Sequence, residues 1–319
     1  AAMVYGKRRV GKTTLIQKAL KSSSYRTVYF ECLKGTMQDN INGLVRELVR
    51  AKLLPVPLNF STLQDVFAYL NALPEKIVVV IDEYPYLKAM NDSAAVDSVF
   101  QNIIDNRLAN IELILSGSHI GMMKDTLQEK NALYGRFAVT IKHNELDYLE
   151  AEKFYPDKTP YDKAAHYAVF GGSPFVNQAL NPEATIRENI ISTILNPMSA
   201  VYLYASQLLL SDYSVKINAE RNFSVIGNGK KRYTEIEDKL DVKKTGNLSK
   251  QIKSLIDLEI IARNSPINKI GDNKKSTFEI NDNLLRFYFT FIYKNASALQ
   301  VLGAEAFYDE YIAPALTDF

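Results

Sequence analysis

The chain opens on a short apolar stretch, AAMVY, that stops at Gly6, and similar runs recur through the first 145 residues. YRTVYFEC (25–32) is rich in aromatic and β-branched residues, as a strand should be. KIVVVIDE (76–83) is apolar almost without a break, the pattern of a strand covered on both faces. IELILSGS (111–118) and AVTIKH (138–143) predict two more strands. Helical patterns lie between them: INGLVRELVRAKL (41–53) sets Ile41, Leu44, Val45, Leu48 and Val49 on one stripe. Strands alternating with helices predict an α/β domain over residues 1–145, a parallel sheet sandwiched by helices.

The periodicity then changes. Residues 146–211, with ELDYLEAEKFY, YDKAAHYAVF and ATIRENIISTIL along the way, carry helical spacing and few strand signals, which predicts a helical lid. Polar residues with Gly227 and Gly229 follow over 212–232 and predict a hinge. YTEIEDKLDV opens with Thr234 and Glu237 in capping-box spacing, and Ile236 and Leu240 share a face. After a turn containing Gly246, NLSKQIKSLIDLEII aligns Leu248, Ile252, Leu255 and Ile256, opposite Ser249, Lys250, Lys253 and Ser254. IARNSPINKIGDNKKSTFEIND predicts two strands joined by a basic tip, so residues 212–293 read as a winged helix. It ends in the aromatic run LLRFYFTFIY (284–293), expected as a buried helix, and 294–319 reads as a linker.

Two motifs give the first domain its chemistry. Gly6 to Thr13 spell G-x-x-x-x-G-K-T between an apolar strand and the helical TTLIQKAL. In such a loop the backbone N–H groups of Lys7, Arg8, Arg9, Val10, Gly11 and Lys12 turn inward around phosphate oxygens. Gly6 and Gly11 permit that turn, and Thr14 lies in the first turn of the helix whose dipole favours the anion. Lys12 is placed to reach the β- and γ-phosphates, and the Thr13 hydroxyl to bind Mg²⁺. VVVIDEYPYL (78–87) delivers Asp82 to the carboxyl end of a strand as a second Mg²⁺ ligand, with Glu83 beside it to polarise an attacking water.

Three further positions are less specific. Ser116 and Ser118 both emerge from LILSGSHIGMM (113–123), where a hydroxyl reaches the γ-phosphate or the water, or forms a plain turn. Arg136 of ALYGRF either reaches a γ-phosphate, in its own subunit or in a neighbour's within a homo-oligomer, or makes a structural ion pair.

YGKRRVGKTTL, VVVIDEYPYL, LILSGSHIGMM, LYGR and YAVFGGSPFV (167–176), in that order, resemble the prokaryotic ATPases of the archaeal-type ATPase family, on the AAA-related branch of P-loop proteins. The resemblance implies a sheet in the order 5-1-4-3-2, ATP as the nucleotide and a small helical domain after the core. It also implies that the GGSP segment, Gly171 to Pro174, contributes to the nucleotide site. Relatives carry a segment before the phosphate loop with a short GR-containing motif that helps to seat the base, and this sequence begins inside the first strand. FYDEYIAPALTDF resembles the linker that, in many relatives, leads into a nuclease-like domain.

Composition narrows the partners. The net charge of +2 carries no overall bias, but Lys216 to Lys275 hold fourteen Lys or Arg against eight Asp or Glu, a local +6. Lys250 and Lys253 on a helix, with Lys274 and Lys275 at the wing tip, suit the phosphates of double-stranded DNA. They equally suit a solvated face, and in this family winged helices often serve as regulatory or protein-contact modules. One cysteine excludes an internal disulfide framework and fits a reducing cytosol, and three histidines show no metal-ligand spacing. No apolar run approaches the ~20 residues that span a bilayer. The expectation is therefore a soluble cytoplasmic ATPase that uses ATP and Mg²⁺ and couples its ATP or ADP state to a winged helix. The alternatives are a DNA-binding regulator with little turnover and a protein-interaction scaffold.

Overall fold

A computed structural model describes residues 1–106, 108–202, 204, 219–227, 229, 231–240, 247–267 and 275–319. The chain divides into two compact units, Ala1–Asn144 and Glu145–Phe319.

In the first unit five strands, β1 (Ala2–Tyr5), β2 (Arg26–Glu31), β3 (Ile77–Asp82), β4 (Ile111–Gly117) and β5 (Val139–Lys142), form one sheet in the order β2-β3-β4-β1-β5. Every neighbouring pair is parallel. Read from the other edge this is 5-1-4-3-2, as the resemblance implied. Helices α1 (Lys12–Lys21), α2 (Met37–Arg50), α3 (Leu63–Asn71), α4 (Tyr84–Met90), α5 (Ser93–Asn106) and α6 (Ile120–Asp125) fill the connections.

β3 is buried at all six positions, which is why its sequence is continuously apolar rather than alternating. Its Ile77, Val79 and Ile81 join the large core with Leu44, Leu48, Val66, Phe67 and Phe100. Val80 faces the other way, onto Val4 and Ile16 beneath α1. α2 begins earlier than its apolar stripe suggests, because Thr36 and Asp39 close a reciprocal cap ahead of it.

The second unit holds α7 (Tyr148–Ala151), α8 (Pro160–Phe170), α9 (Pro174–Gln178), α10 (Ile186–Asn189), α11 (Ala219–Ile226), α12 (Tyr233–Leu240), α13 (Asn247–Asp257), α14 (Asn283–Phe287) and α15 (Ala296–Phe307). Three short strands, β6 (Lys231–Arg232), β7 (Ile261–Asn264) and β8 (Thr277–Ile280), make an antiparallel sheet in the order β6-β8-β7. Phe278 and Ile280 of that sheet share a core with Ile236, Leu248, Ile252 and Leu255. α14 continues as further helical turns to Asn295, and Leu284, Leu285, Phe287, Phe289, Phe291 and Ile292 are buried, which accounts for the aromatic run.

Two local expectations change. Residues 219–226, inside the stretch read as a hinge, are helical. α12 starts at Tyr233, ahead of the Thr234 cap, because the Glu235 carboxylate accepts from the Arg232 N–H and caps the helix two residues earlier than Thr234 and Glu237 would. Lys216, Gly246 and Lys274 lie outside the described residues.

Candidate nucleotide site

The sheet brings the two motifs to one edge. β1 ends at Tyr5 and the loop turns at Gly6, where a Cβ would stand 2.0 Å from the His143 carbonyl oxygen. Only glycine fits there. Gly11 adopts φ 100 at the entrance to α1, a conformation that strains any residue with a side chain. Between them Val10 is buried, Lys7 and Arg8 are half-buried and Arg9 is exposed.

Lys12 is 7% exposed, and its Nζ donates to the carbonyls of Gly6 (2.9 Å) and Lys7 (2.7 Å). The cation therefore sits inside its own loop. Thr13, next in α1, donates from Oγ1 to Asp82 Oδ2 at 3.4 Å, so the phosphate loop and the end of β3 touch through the two groups expected to hold Mg²⁺. Thr14 follows on the exposed side of the first turn.

Asp82 is 5% exposed and held from three directions. Its Oδ1 accepts from the Glu83 N–H at 2.9 Å, and its Oδ2 accepts from both Thr13 and the Tyr29 hydroxyl. Burial, then the hydrogen bond and charge of Asp82, push the Tyr29 phenol well above its ordinary value. Glu31 also titrates above the usual carboxylate range, through burial and then the charges of Asp82 and Glu83.

Glu83 stands in the left-handed region, φ 49 and ψ 41, immediately before α4. A non-glycine residue there stores strain of about 1–3 kcal/mol, typical of functional turns. Its carboxylate Oε2 accepts from Ser118 Oγ (2.8 Å) and from the Ser118 N–H (3.2 Å). Ser118 Oγ in turn accepts from Arg8 Nε at 3.4 Å, and Arg8 Nη2 donates to the Tyr86 hydroxyl at 2.6 Å. The phosphate loop, the Asp82–Glu83 turn and the end of β4 are thus one hydrogen-bonded assembly.

Two of the remaining candidates lie in this unit. Ser116 sits opposite Val4 in the β1–β4 register, fully buried, with its Oγ free of any hydrogen-bond partner among the described residues. It is Ser118 that reaches Glu83. Arg136 makes a two-pronged ion pair with Asp105 of α5 (Nε to Oδ1 3.0 Å, Nη2 to Oδ2 3.0 Å), the structural alternative weighed for it. It does not join Lys12, Thr13, Asp82 and Glu83. Pro174 is the first residue of α9 in the second unit, after the turn of Gly171 and Gly172.

Tyr29 escaped the sequence reading altogether. Its role depends on β2 lying beside β3 with Tyr29 opposite Val80, a register that alternation along one strand does not contain.

Among the described residues no three His, Cys, Asp or Glu side chains converge as a metal-ligand group. The donor set at Thr13 and Asp82 nevertheless fits Mg²⁺, which takes hard oxygens and is usually held by one or two protein groups plus phosphate.

Residues 1–176 match a family model described as an ATPase domain predominantly from Archaea. The chain belongs to that family. A protein of Methanocaldococcus jannaschii named uncharacterized protein MJECL04 is similar too, 28% identical over 97% of this chain and 69% of that protein. Among solved structures, this archaeal-type ATPase chain shares its fold with the Walker-type ATPase PABY2304 of Pyrococcus abyssi. The TM-score is 0.64 at 18% identity, over 90% of each chain. It also resembles the Aeropyrum pernix ORC2 protein, solved in ADPNP–ADP complexes, with a TM-score of 0.54 at 12% identity over 90% and 86% of the two chains. The fold and the family agree on a nucleotide-binding P-loop protein.

Proposed function

We propose that this chain binds ATP at the loop Gly6–Thr14 and hydrolyses it with Glu83 as the residue that orients and deprotonates the attacking water. The observation that carries this reading is the joining of Thr13, Asp82, Glu83 and Ser118 along one sheet edge by hydrogen bonds of 3.4 Å or less. On binding, Lys12 exchanges its two carbonyl partners for phosphate oxygens, while the backbone N–H groups of the loop and the N-terminal end of α1 receive the rest of the charge. Thr13 and Asp82 would hold Mg²⁺, which would supply positive charge to offset that of the phosphates. Ser118 holds the Glu83 carboxylate, and Arg8 links that pair back to the loop. Arg136 is read as an anchor for α5 rather than as a group on the phosphate.

The second unit extends the proposal. α11, β6, α12, α13 and the β7–β8 hairpin follow one another in the order of a winged helix, and Lys250 and Lys253 are both exposed on α13, as is Lys275, two residues before β8. We read this as a module whose contacts, with duplex DNA as the favoured partner, respond to the nucleotide state.

Steady-state phosphate release from ATP, with and without Mg²⁺, tests the first part. Lys12→Ala should abolish tight nucleotide binding, since the loop then lacks the lysine that reaches the phosphates. Glu83→Gln should keep ATP bound and slow turnover by roughly 10²-fold or more, the expected loss of a general base. Normal turnover by Glu83→Gln would show that another residue handles the water.

A further inference from the structure

We propose that Tyr29 is a positioning residue for the metal site, clamping the Asp82 carboxylate in the one orientation from which it and Thr13 can share a magnesium ion. The inference rests on the nucleotide-site reading above and adds a residue that no motif contains.

Asp82 Oδ1 is fixed by the Glu83 N–H, but Oδ2 is the oxygen nearest Thr13, and the phenol donates to it as well. Without the phenol, the contact holding Oδ2 on the protein side is the Thr13 hydroxyl at 3.4 Å, which is long and is itself needed by the metal. The tyrosine is well suited to the task. Its ring packs against the small core of Val4, Ile16 and Val80 under α1, so the hydroxyl is delivered by a side chain that the sheet already holds. Mg²⁺ demands near-ideal octahedral geometry and tolerates little play in its ligands. Groups that orient a metal ligand from behind typically contribute 10–100-fold to metal affinity.

The test separates metal affinity from nucleotide affinity. A fluorescent ADP analogue is titrated into wild type and Tyr29→Phe, first in EDTA and then at fixed nucleotide with rising Mg²⁺. The phenylalanine keeps the ring in its core and removes only the hydroxyl. Affinity in EDTA should match wild type, while the Mg²⁺ concentration at half-effect should rise about tenfold. ATPase kcat should recover most of its wild-type value once Mg²⁺ saturates. Superimposable Mg²⁺ titrations would overturn the proposal while leaving the nucleotide site intact. Equal weakening in EDTA and in Mg²⁺ would also overturn it, because the hydroxyl would then support the loop rather than the metal ligand. Absence of nucleotide binding by wild type itself would sink the underlying site reading, and this inference with it.

Discussion

Asp97 is 2% exposed and accepts three hydrogen bonds, from Lys88 Nζ (2.8 Å), the Tyr84 hydroxyl (2.5 Å) and Asn131 Nδ2 (2.7 Å). Lys88 is itself 5% exposed, so removing the carboxylate strands a cation inside the protein. Asp97→Ala should therefore cost about 3–5 kcal/mol, visible as a large drop in the midpoint of denaturant unfolding. Replacing Lys88 and Asp97 together by Met and Leu should recover much of the loss, since a well-packed apolar pair often matches a buried ion pair. A small effect of the single substitution would mean that water reaches the site. Two of the partners belong to α4, which begins immediately after Glu83, so the network also steadies the turn that carries the proposed base. Residues of this kind mark the limit of what a sequence discloses. Gly6, Lys12, Thr13 and Asp82 stand out as candidates because the proposed phosphate and Mg²⁺ contacts demand particular groups at fixed local spacing. Ser118 was legible only as one of two serines, and Tyr29 and Asp97 not at all, because their partners lie on other elements and depend on register and helix packing.

Among the elements, the strands were the easiest to read. Burial on both faces makes β3 a continuous apolar run, and nothing else of that length competes with it. α2 was harder, since its start is set by the Thr36–Asp39 cap, and its interior carries a glycine that periodicity leaves unexplained. The structure explains it: a Cβ on Gly43 would stand 2.6 Å from Phe30 Cε2, on a ring buried in the main core. The helix lies against β2 as closely as it does because that position has no side chain. Two effects then oppose each other in Gly43→Ala. Alanine gains about 1 kcal/mol in helix propensity, while forcing a buried aromatic ring aside costs about 1–3 kcal/mol. We expect the packing cost to prevail, with a net loss of about 1 kcal/mol and a lowered Tm. A raised Tm would mean that Phe30 rotates away freely and that the packing of α2 on β2 yields at little cost. The same substitution should leave nucleotide affinity almost unchanged, since α2 contributes no group to the loop at Gly6–Thr14.

At the scale of the whole molecule, periodicity along the chain predicts a parallel sheet but not its order. The order 5-1-4-3-2 came with the family resemblance, because the choice of neighbour for each strand is made by crossovers that no single segment encodes. Charge has a different distribution: a chain with a net +2 concentrates +6 between Lys216 and Lys275, within the second unit. On α13 the apolar residues Leu248, Ile252 and Leu255 are buried while Lys250 and Lys253 are exposed, so the two ammonium groups stand about one helical turn apart on the solvent side. If that side meets duplex DNA, each phosphate neutralised contributes about 0.9 to the slope of log affinity against log salt. Replacing Lys250 and Lys253 together by Gln should flatten that slope by roughly two and weaken binding alike for every sequence, because phosphate contacts position without specifying. ATP turnover without DNA should stay at the wild-type rate, since neither lysine belongs to the unit that holds the phosphate loop. An unchanged slope would assign the DNA contact to other residues. No binding to any duplex even at low salt, where electrostatic attraction is strongest, would remove DNA from the proposal. The exposed side of α13 would then be better understood as a surface for a protein partner, whose acidic residues the same lysines would meet.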